Sequence, residues 1–574
     1  MDTSLLRQLK DVVGILKKHN KGASREYGIL LCVLAEPKIE SLVLAKFLRQ
    51  FRDNVMLLGR EHEQLVGTIL NSDWLSRDEL FIQEYQSFCL NLVSAHPYYL
   101  RACVRMLVKH FLPSDHSNPG GMPGSSATGP DAATRETNNF RFQRVHVLLR
   151  AVAQIVPTTR IVLMQFLEEC FPYMNRDVYT HEAYTHNTLQ LLQYLPDLRL
   201  KVLELLVDKM LRLDVRASRR EIEEAEGSSD EEEEEESTVF SMDEVDGQEK
   251  AKDEDTPPSM KHKEADRLDV MMDLTLAFIY CTCHPNGELD WEATKTLYRE
   301  LLSVFDKLVF PTHASGHTQF LMFYICSFKQ PLWEGFIDYL WKKVTTSMTQ
   351  AVFRQAAAGY IGSLLARAAY IDASTVKTVL DMMVSWVHTY LEKSGGNSLH
   401  ADLAHHSPFY AVCQAVFYVF CFRNQELLDL RKGYKWAKSL NFQHIVMSQL
   451  NPLRICLPMI CRTFASVTRM HQLALCDTII ERNSRQSFYM KHATLDAFFP
   501  FDPYLLKRSG RWILPMFREY EGSLPDKEEE EVVEEDVDNF LPAEEMEETS
   551  CKLGSSVPAM DFMQYGTSPG FKHV

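Results

Sequence analysis

The amino-acid sequence predicts an all-α protein, built as a HEAT-repeat-like solenoid of antiparallel helix pairs. Apolar residues recur with helical periodicity along almost the whole chain, and such a stripe is typical of a helix that packs one face on a core. No series of alternating strands bounded by hairpin turns stands out in the sequence. Helix-length segments follow one another with short polar or proline-marked breaks, such as Leu195-Pro196-Asp197 and Asn451-Pro452, which favours stacked helix pairs over a single bundle.

The apolar stripes can be followed in order along the chain. The first passes through Leu5, Leu9, Val12, Val13 and Leu16, and later stripes lie within 268–279, 297–308 and 376–387. A chain of 574 residues exceeds what one globular core usually holds. Because no crisp repeat consensus is visible, HEAT-like units are favoured over tetratricopeptide or ankyrin repeats.

Interruptions of this pattern divide the chain into six predicted segments. Helical repeats are predicted for 1–112, 140–220 and 264–520. Residues 113–139 are predicted to be a flexible loop because they are rich in Gly, Pro and Ser. Disorder is predicted for an acidic insert over 221–263 and for a tail over 521–574, which is first acidic and then rich in Gly, Ser and Pro.

The net charge of the chain is distributed very unevenly. From Glu221 to Asp255 there are 18 acidic residues and 2 lysines, a net charge of −16, and from Glu521 to Glu548 there are 14 acidic residues and 1 lysine, a net charge of −13. Subtracting both from the whole-chain charge of −17 leaves +12 for the remaining body. A basic body with two acidic appendages suggests an interaction protein under electrostatic control more than a small-molecule enzyme.

Cysteine usage and hydropathy indicate the cellular setting. The 13 cysteines are scattered and odd in number, which predicts reduced, buried thiols in an intracellular protein. No signal peptide is recognisable at Met1-Asp2-Thr3. The longest apolar stretch, Ala415 to Phe422, is 8 residues long, whereas a membrane span needs about 20. The sequence therefore predicts a soluble protein that does not interact with membranes.

Four clusters contain residue types that catalytic or metal sites use. His181 and His186 are spaced i, i+5, about 140° apart on a helix, so they do not fit the i, i+4 zinc-protease pattern. The segment Cys281-Thr282-Cys283-His284 has no second cysteine pair at zinc-finger spacing and is interpreted as a helix end with a buried thiol. Ser315 and His317 lack the Gly-x-Ser-x-Gly context of a nucleophile elbow.

The fourth cluster, His400, His405 and His406 near Asp402, is the best remaining metal candidate, with a polar loop between helices favoured instead. Phosphate-binding glycine motifs were not found in the sequence. The prediction is a protein that is not an enzyme and has no cofactor, no catalytic residues and no resident metal.

A basic segment precedes the acidic insert. It consists of Lys209, Arg212, Arg216, Arg219 and Arg220. These cations would stabilise a helix C-terminus, and they could also form a docking surface for a partner or for the insert. If the helix continues that far, Arg212, Arg216 and Arg219 share one face. Little or no sequence-specific DNA binding is expected, because no recognition-helix module accompanies them.

Ser228 and Ser229 are candidate phosphorylation sites. Each has an acidic residue three positions further on, Glu231 and Glu232, which suits an acidophilic kinase. Phosphorylation would add about −1.5 to −2 charges per site to a segment that is already negative. The alternative is an unmodified, solvated spacer.

Several segments closely resemble those of one known family. They include Phe305-Asp306-Lys307-Leu308, Phe323-Tyr324-Ile325-Cys326-Ser327-Phe328-Lys329, Met447-Ser448-Gln449-Leu450-Asn451-Pro452-Leu453 and Phe498-Phe499-Pro500-Phe501-Asp502-Pro503. Together with similar segments over 92–95, 209–219, 354–367 and 481–483, they resemble the RNA polymerase I-specific transcription initiation factors of the TIF-IA type. The likeness covers most of 1–520 in the same order, including an acidic insert at the same place.

The resemblance implies a HEAT-repeat fold and a non-enzymatic role in the nucleus and nucleolus. A protein similar to this family binds RNA polymerase I and bridges it to the promoter-bound selectivity factor on ribosomal RNA genes, under control by phosphorylation. Composition and periodicity alone leave open a karyopherin-like transport protein or another HEAT-type scaffold. A metal hydrolase built on the histidines near Asp402 is the third hypothesis, and a homodimer is left open.

Overall fold

The fold is described from a computed structural model. It describes residues 12–20, 25–36, 39–113, 132–227, 258–313, 315–394, 402–487, 494–495 and 499–520. Apart from an isolated bridge between Ala368 and Phe517, these residues form helices, turns and loops without a β-strand. The predicted all-α class is confirmed. Within the same residues, no helix combines the length and apolarity that crossing a lipid bilayer requires.

The helices are numbered here in chain order. Those up to the acidic insert are α1 (Val12–His19), α2 (Arg25–Ala35), α3 (Ser41–Asp53), α4 (Glu63–Leu70), α5 (Glu79–Ala95), α6 (Leu100–Lys109), α7 (Ala132–Ile155), α8 (Thr159–Glu169), α9 (Val178–Gln190), α10 (Arg199–Asp214) and α11 (219–227). Those after it are α12 (Lys263–Cys283), α13 (Trp291–Val304), α14 (Phe320–Cys326), α15 (Gln330–Thr345), α16 (Ala351–Arg367), α17 (Ala373–Ser394), α18 (Leu403–Asp429), α19 (Gly433–Ser439), α20 (Phe442–Val446), α21 (Pro452–Ile455), α22 (Pro458–Met470), α23 (Asp477–Ser487) and α24 (Gly510–Ile513).

The helices fall into two compact units. Unit 1 takes its described residues from Met1–Ile325 and Leu505–Trp512, and unit 2 takes its residues from Cys326–Tyr504 and Ile513–Val574. The division therefore lies near the end of α14, within the segment 264–520. Both flanks of the acidic insert belong to unit 1, because they share one set of packed helices.

Unit 1 is built from helices that stack two positions apart in the chain. Contacts join α3 with α5 and α5 with α7 on one side, and α2 with α4, α4 with α6 and α6 with α8 on the other. This alternation is the packing expected when consecutive helix hairpins stack in two layers. Further along, α12 packs on α9, α10 and α13.

The segment 505–512 is held in unit 1 by two carboxylates one turn apart on α12. Asp269 is fully buried and accepts hydrogen bonds from the backbone N–H groups of Arg508 and Ser509, each at 2.7 Å. Asp273 pairs with the Arg511 guanidinium at 2.8 Å and accepts from the Trp512 indole N–H at 2.8 Å. A buried carboxylate is tolerated when such donors replace its water.

The two ends of the acidic insert lie together. Glu226, near the end of α11, accepts a hydrogen bond from the Lys261 backbone N–H at 2.8 Å and pairs with Lys507. Ile222 and Met260 are both buried. The folded part therefore extends further at both ends than the predicted insert over 221–263, because these apolar residues complete the core.

The predicted loop over 113–139 is likewise shorter than expected. Helix α7 begins at Ala132, and Asn138 on it is buried with its amide donating to the Tyr179 hydroxyl at 3.2 Å. Arg135 pairs with Glu182 at 3.0 Å, which also fixes the first turns of α7 against α9. Tertiary contacts thus extend the helix into a stretch that composition assigned to a loop.

Unit 2 is centred on α18, which packs against α16, α17 and α22. Where α16 meets α18, a Cβ atom placed on Gly362 would lie 2.8 Å from the Ala415 Cβ and 3.1 Å from its Cα. The buried guanidinium of Arg423 donates to the carbonyl oxygens of Leu365 at 3.1 Å and Ile371 at 2.9 Å. Close backbone approach and a buried arginine therefore hold these helices together.

We expect Gly362→Ala to lower the free energy of unfolding by about 1–3 kcal/mol, since an extra methyl group in a tight helix contact forces the backbones apart. Urea denaturation followed by circular dichroism measures this. The matched control is Gly67→Ala on α4, where an added Cβ meets no atom within 4 Å; it should leave stability unchanged or raise it by up to about 1 kcal/mol. Equal effects of both changes would contradict the packing described for Gly362.

Candidate functional site

The basic segment that precedes the insert lies at the end of α10. This helix ends at Asp214, so Arg216 lies in the following turn, and Arg219 lies at the start of the separate helix α11. The condition for a single face shared by Arg212, Arg216 and Arg219 is therefore not met. A turn over 215–218 therefore separates α10 from α11, instead of the continuous helix considered from the sequence.

Asp214, the last residue of α10, binds a loop about 100 residues away in sequence. Its fully buried carboxylate accepts hydrogen bonds from the backbone N–H groups of His317 at 2.9 Å and Thr318 at 2.8 Å. The hydroxyls of Thr318 and Ser315 also donate to it, at 2.8 and 2.9 Å, and His317 Nδ1 lies 3.1 Å away. Four of these interactions use one oxygen, Oδ2, so the carboxylate acts as the anchor of the loop.

The protonation state of Asp214 follows from these donors. Burial alone would raise its pKa, but the hydrogen bonds and the interaction with His317, joined by the backbone donors, hold the pKa of the carboxyl well below its usual range. The group is therefore ionised at neutral pH. The Ser315 hydroxyl, which lies 2.9 Å from this carboxylate, is also 2.6 Å from the Gln319 amide oxygen. The pair Ser315 and His317 noted in the sequence thus serves to anchor the loop.

Beside this anchor, the end of α10 borders a groove with a volume of about 820 Å³. Four basic side chains line it, namely Lys209, Arg212, Arg216 and Lys307. Three of them belong to the basic set predicted from the sequence. Lys307 comes from the π-helical turn Phe305–Val309, which directly follows α13. Such turns are rare and occur frequently at functional sites.

Two of these cations are held by neighbours on the groove wall. Lys209 lies 3.8 Å from Asp208 and 5.5 Å from the centre of the Phe171 ring, with 18% of its side chain exposed. Arg212 pairs with the same Asp208 at 3.0 Å. These contacts orient both side chains but contribute little to the free energy of folding, because exposed ion pairs are weak.

The other two cations, Lys307 and Arg216, differ in whether a carboxylate pairs with them. Lys307 pairs with Glu204 of α10 at 2.9 Å, which joins the π-helical turn to that helix. Arg216 is exposed and, among the described residues, forms no ion pair. Its guanidinium is therefore the cation in this groove that is best placed to bind an incoming carboxylate or backbone carbonyl.

Apolar and acidic side chains complete the groove. The apolar ones include Phe171, Pro172, Met174, Leu308 and Pro311, together with the exposed residues Tyr173 and Val215. Tyr173 is 80% exposed. The acidic ones are Glu168, Glu169 and Asp208, so the charged lining sums to +1. Exposed Tyr and Arg beside apolar side chains are typical of protein-docking sites, whereas a phosphate site would be more strongly basic.

The remaining predicted residues lie elsewhere. Arg219 donates to the Gly316 carbonyl at 3.0 Å, so it supports the loop that Asp214 holds. Arg220 is 88% exposed and pairs with Glu224 one turn along α11, at 2.6 Å. Ser228 and Ser229 lie outside the described residues.

The residues weighed as metal or catalytic sites are placed as follows. On α9, His181 is buried and His186 is exposed, in line with their predicted separation around the helix. Cys283 is the buried last residue of α12, as interpreted from the sequence. His284 follows it and stacks on Tyr280 at a centroid distance of 4.5 Å. In the part of the chain that the structure describes, no group of three or more His, Cys, Asp or Glu side chains is arranged to hold a metal ion.

Two of the three histidines near Asp402 lie in a helix and not in the polar loop that was favoured for them. His405 and His406 lie in the first turns of α18, where His405 pairs with Asp402 and His406 bonds to the Tyr390 hydroxyl at 2.8 Å. His400 is outside the described residues. The helix starts early because Asp402 caps it, accepting from the Ala404 backbone N–H at 3.0 Å.

Sequence reasoning missed Lys307, Glu204 and Tyr173 as parts of the candidate site. Lys307 and Glu204 are 103 residues apart, and their contact depends on how α13 packs on α10. A local charge pattern carries no signal for such a pair. Residue 307 did belong to one of the segments that carried the family resemblance, but no role followed from that.

Two-layer stacking of helices defines this chain as a helical-repeat protein, and the groove of mixed charge is its candidate site. Comparison with known proteins identifies the family of this chain. The family model for RNA polymerase I specific transcription initiation factor RRN3 matches residues 4–524. The chain belongs to this family of RNA polymerase I-specific transcription initiation factors.

Individual relatives agree with this family. The chain is 42% identical over 561 residues to RNA polymerase I-specific transcription initiation factor RRN3 of Mus musculus, covering 93% of this chain and 85% of the relative. It is 30% identical over 516 residues to the rrn3 factor of Schizosaccharomyces pombe, covering 86% and 82%. A crystal structure of RNA polymerase I transcription initiation factor Rrn3 has a similar fold, with a TM-score of 0.71 at 20% identity, over 91% of this chain and 99% of that one.

We expect Asp214→Asn to lower the free energy of unfolding by about 1–3 kcal/mol, because the new amide faces hydrogen-bond donors and leaves at least one of them unsatisfied. The folded-state pKa of Asp214 is depressed, so the stabilisation is complete above its unfolded pKa of about 3.9 and is lost as the pH falls further. Urea denaturation should therefore show a difference from wild type that is constant from about pH 7 to 5 and shrinks below about pH 4.

Asp208→Asn, on a carboxylate that is 36% exposed, is the control and should cost under about 1 kcal/mol. A constant difference down to about pH 2 would contradict the assignment of the ionised carboxylate as the anchor.

Proposed function

We propose that this chain binds RNA polymerase I and bridges it to the promoter-bound selectivity factor at ribosomal RNA genes. It acts without catalysis, in the nucleus and nucleolus. The observation that carries the proposal is the family match over residues 4–524, together with relatives named as RNA polymerase I-specific initiation factors. A repeat protein offers a long surface for large partners, and a bridge gains affinity because its second contact is effectively intramolecular.

The groove at the end of α10 is the proposed docking site for a segment of the polymerase. Arg216 supplies a guanidinium that is not neutralised by a described neighbour, and Tyr173 supplies an exposed ring that lines the same groove. Lys209, Arg212 and Lys307 are each oriented by an acidic neighbour. Three cations are thus held by neighbours, whereas Arg216 and Tyr173 are accessible. This matches how binding energy concentrates in a few residues at protein interfaces.

The function is tested with immobilised full-length chain and a nuclear extract, followed by transcription from a ribosomal promoter in extract depleted of the endogenous factor. Wild-type protein should retain RNA polymerase I and restore transcription. Retention of a transport cargo or small GTPase, with no polymerase and no restored transcription, would refute the proposal in favour of a transport protein.

We expect Arg216→Glu combined with Tyr173→Ala to weaken polymerase binding at least tenfold, about 1.4 kcal/mol, because a central charge is reversed and an aromatic contact is lost. The readout is retained polymerase as a function of the concentration of the chain. Arg220→Glu is the matched control, since it reverses an exposed charge on neighbouring α11 that the groove does not use. If wild type binds polymerase and both variants bind equally well, the groove is not the polymerase contact, although the function stands.

We further propose that phosphorylation of Ser228 and Ser229 tunes this interaction. The insert that carries them starts and ends in unit 1, where Glu226 binds Lys261, and Ser228 follows Arg216 by 12 residues. Each phosphate would add about −1.5 to −2 charges within 13 residues in sequence of Arg216.

We expect Ser228→Ala with Ser229→Ala to abolish the change in polymerase affinity that an acidophilic kinase produces in wild type, with the effect largest at low salt. Affinities of kinase-treated and untreated proteins at two salt concentrations give the measurement. Ser237→Ala is the control, since Phe240 stands three positions further on instead of an acid. An unchanged affinity after stoichiometric phosphorylation of wild type would reduce the insert to a spacer.

A further inference from the structure

A second basic surface lies in unit 2, far in sequence from the groove. Residues 430–476 contain no Asp or Glu and seven Lys or Arg, a net charge of +7 in a chain whose total is −17. Four of the seven, Arg431, Lys432, Lys435 and Lys438, fall within eight residues and are all exposed. They form the surface called the α19 patch below.

A tight turn presents the first two cations of the α19 patch. The Gly433 backbone N–H donates to the Leu430 carbonyl at 2.7 Å, which leaves Arg431 and Lys432 as the two central residues of the turn. Lys432 has a φ of 66°, a left-handed conformation that is unusual for lysine. A Cβ on Gly433 would lie 2.3 Å from the Leu427 carbonyl oxygen, so the turn requires glycine there. Both side chains are thereby held outward.

Helix α19 presents the other two. Lys435 and Lys438 are three residues apart and exposed, while Trp436 and Ala437 are buried. The Trp436 indole N–H donates to Asp381 of α17 at 2.6 Å, which fixes the helix against α17. Lys435 and Lys438 therefore lie on the outer face of an anchored helix.

The charge of the α19 patch is not locally neutralised. Among the described residues, none of its four cations forms an ion pair with a carboxylate, whereas exposed cations elsewhere do, such as Lys342 with Asp338 at 2.7 Å. The acidic residue nearest in sequence is the exposed Asp429, two positions before the turn. Four clustered cations that no described carboxylate pairs with raise the local potential and attract a polyanion.

The composition of the patch favours a nucleic-acid backbone over a protein. Protein interfaces are depleted in Lys and are centred on apolar anchors, but the patch has three Lys and its large ring, Trp436, is buried. Phosphate contacts are made chiefly by Lys and Arg and need no apolar centre. Single-stranded nucleic acids bind on several free aromatic rings, and here Tyr434, the exposed ring, has the Lys438 ammonium 4.8 Å above it.

We propose that Arg431, Lys432, Lys435 and Lys438 bind the phosphate backbone of duplex DNA without reading its sequence. This inference is independent of polymerase binding by the groove in unit 1. It is compatible with the absence of a recognition-helix pattern, because backbone contacts position a protein on DNA and carry no base specificity. Four phosphate contacts would contribute about 3 to 4 to the slope of log K against log salt.

The test uses the full chain and fluorescence anisotropy with two 30-bp duplexes of unrelated sequence, between 50 and 200 mM salt. The variant Arg431→Gln, Lys432→Gln, Lys435→Gln and Lys438→Gln removes the four charges and keeps much of each stem. It should bind both duplexes at least tenfold more weakly and lose most of the salt dependence. Thermal unfolding should be unchanged, since all four side chains are exposed.

A matched control removes four exposed cations that are already paired: Lys18→Gln, Arg220→Gln, Lys342→Gln and Arg485→Gln. It changes the net charge equally and should bind DNA like wild type. Equal loss in both variants, or no loss in the patch variant, would overturn the proposal. So would patch-dependent binding confined to single-stranded RNA, or to a peptide of residues 521–548 that duplex DNA does not displace.

Discussion

The buried carboxylate of Asp214 is the contact on which the candidate docking groove depends. Asp214 is the last residue of α10, and its carboxylate binds the loop that contains Ser315, His317 and Thr318. Because that loop directly follows residues 307–312, the same contact limits where Lys307 and Pro311 can lie opposite α10. The groove therefore rests on an ionised group that folding has removed from water and supplied with donors.

In each unit, other parts of the chain that are distant in sequence are also joined by buried charged side chains with hydrogen-bond partners. In unit 1, Asp269 and Asp273 hold the segment 505–512 through backbone and side-chain donors. In unit 2, Arg423 donates to the carbonyl oxygens of Leu365 and Ile371. A buried charge is costly unless its partners are in place, so each of these sites favours one arrangement of the helices over near alternatives.

The two cationic surfaces differ in chemistry and therefore in the partner they suit. In the groove, Lys209, Arg212 and Lys307 have acidic neighbours, and apolar side chains and Tyr173 lie among them. In the α19 patch the cations lack such neighbours among the described residues and the large ring is buried. These compositions are the reason for proposing a protein segment as the partner of the first surface and a phosphate backbone as the partner of the second.

The sequence by itself determined the helical class, the acidic segments, the basic residues around 209–220 and the family. Periodicity, charge and family-specific segments are local properties that need no coordinates. Tertiary structure alone decided that α10 stops at Asp214, that α7 starts at Ala132, and that the folded core continues through Ile222 and resumes by Met260. It also decided that Lys307 joins the groove while Arg219 supports a loop. These outcomes depend on contacts between residues about 100 positions apart, whose free energies are realised only when the helices pack.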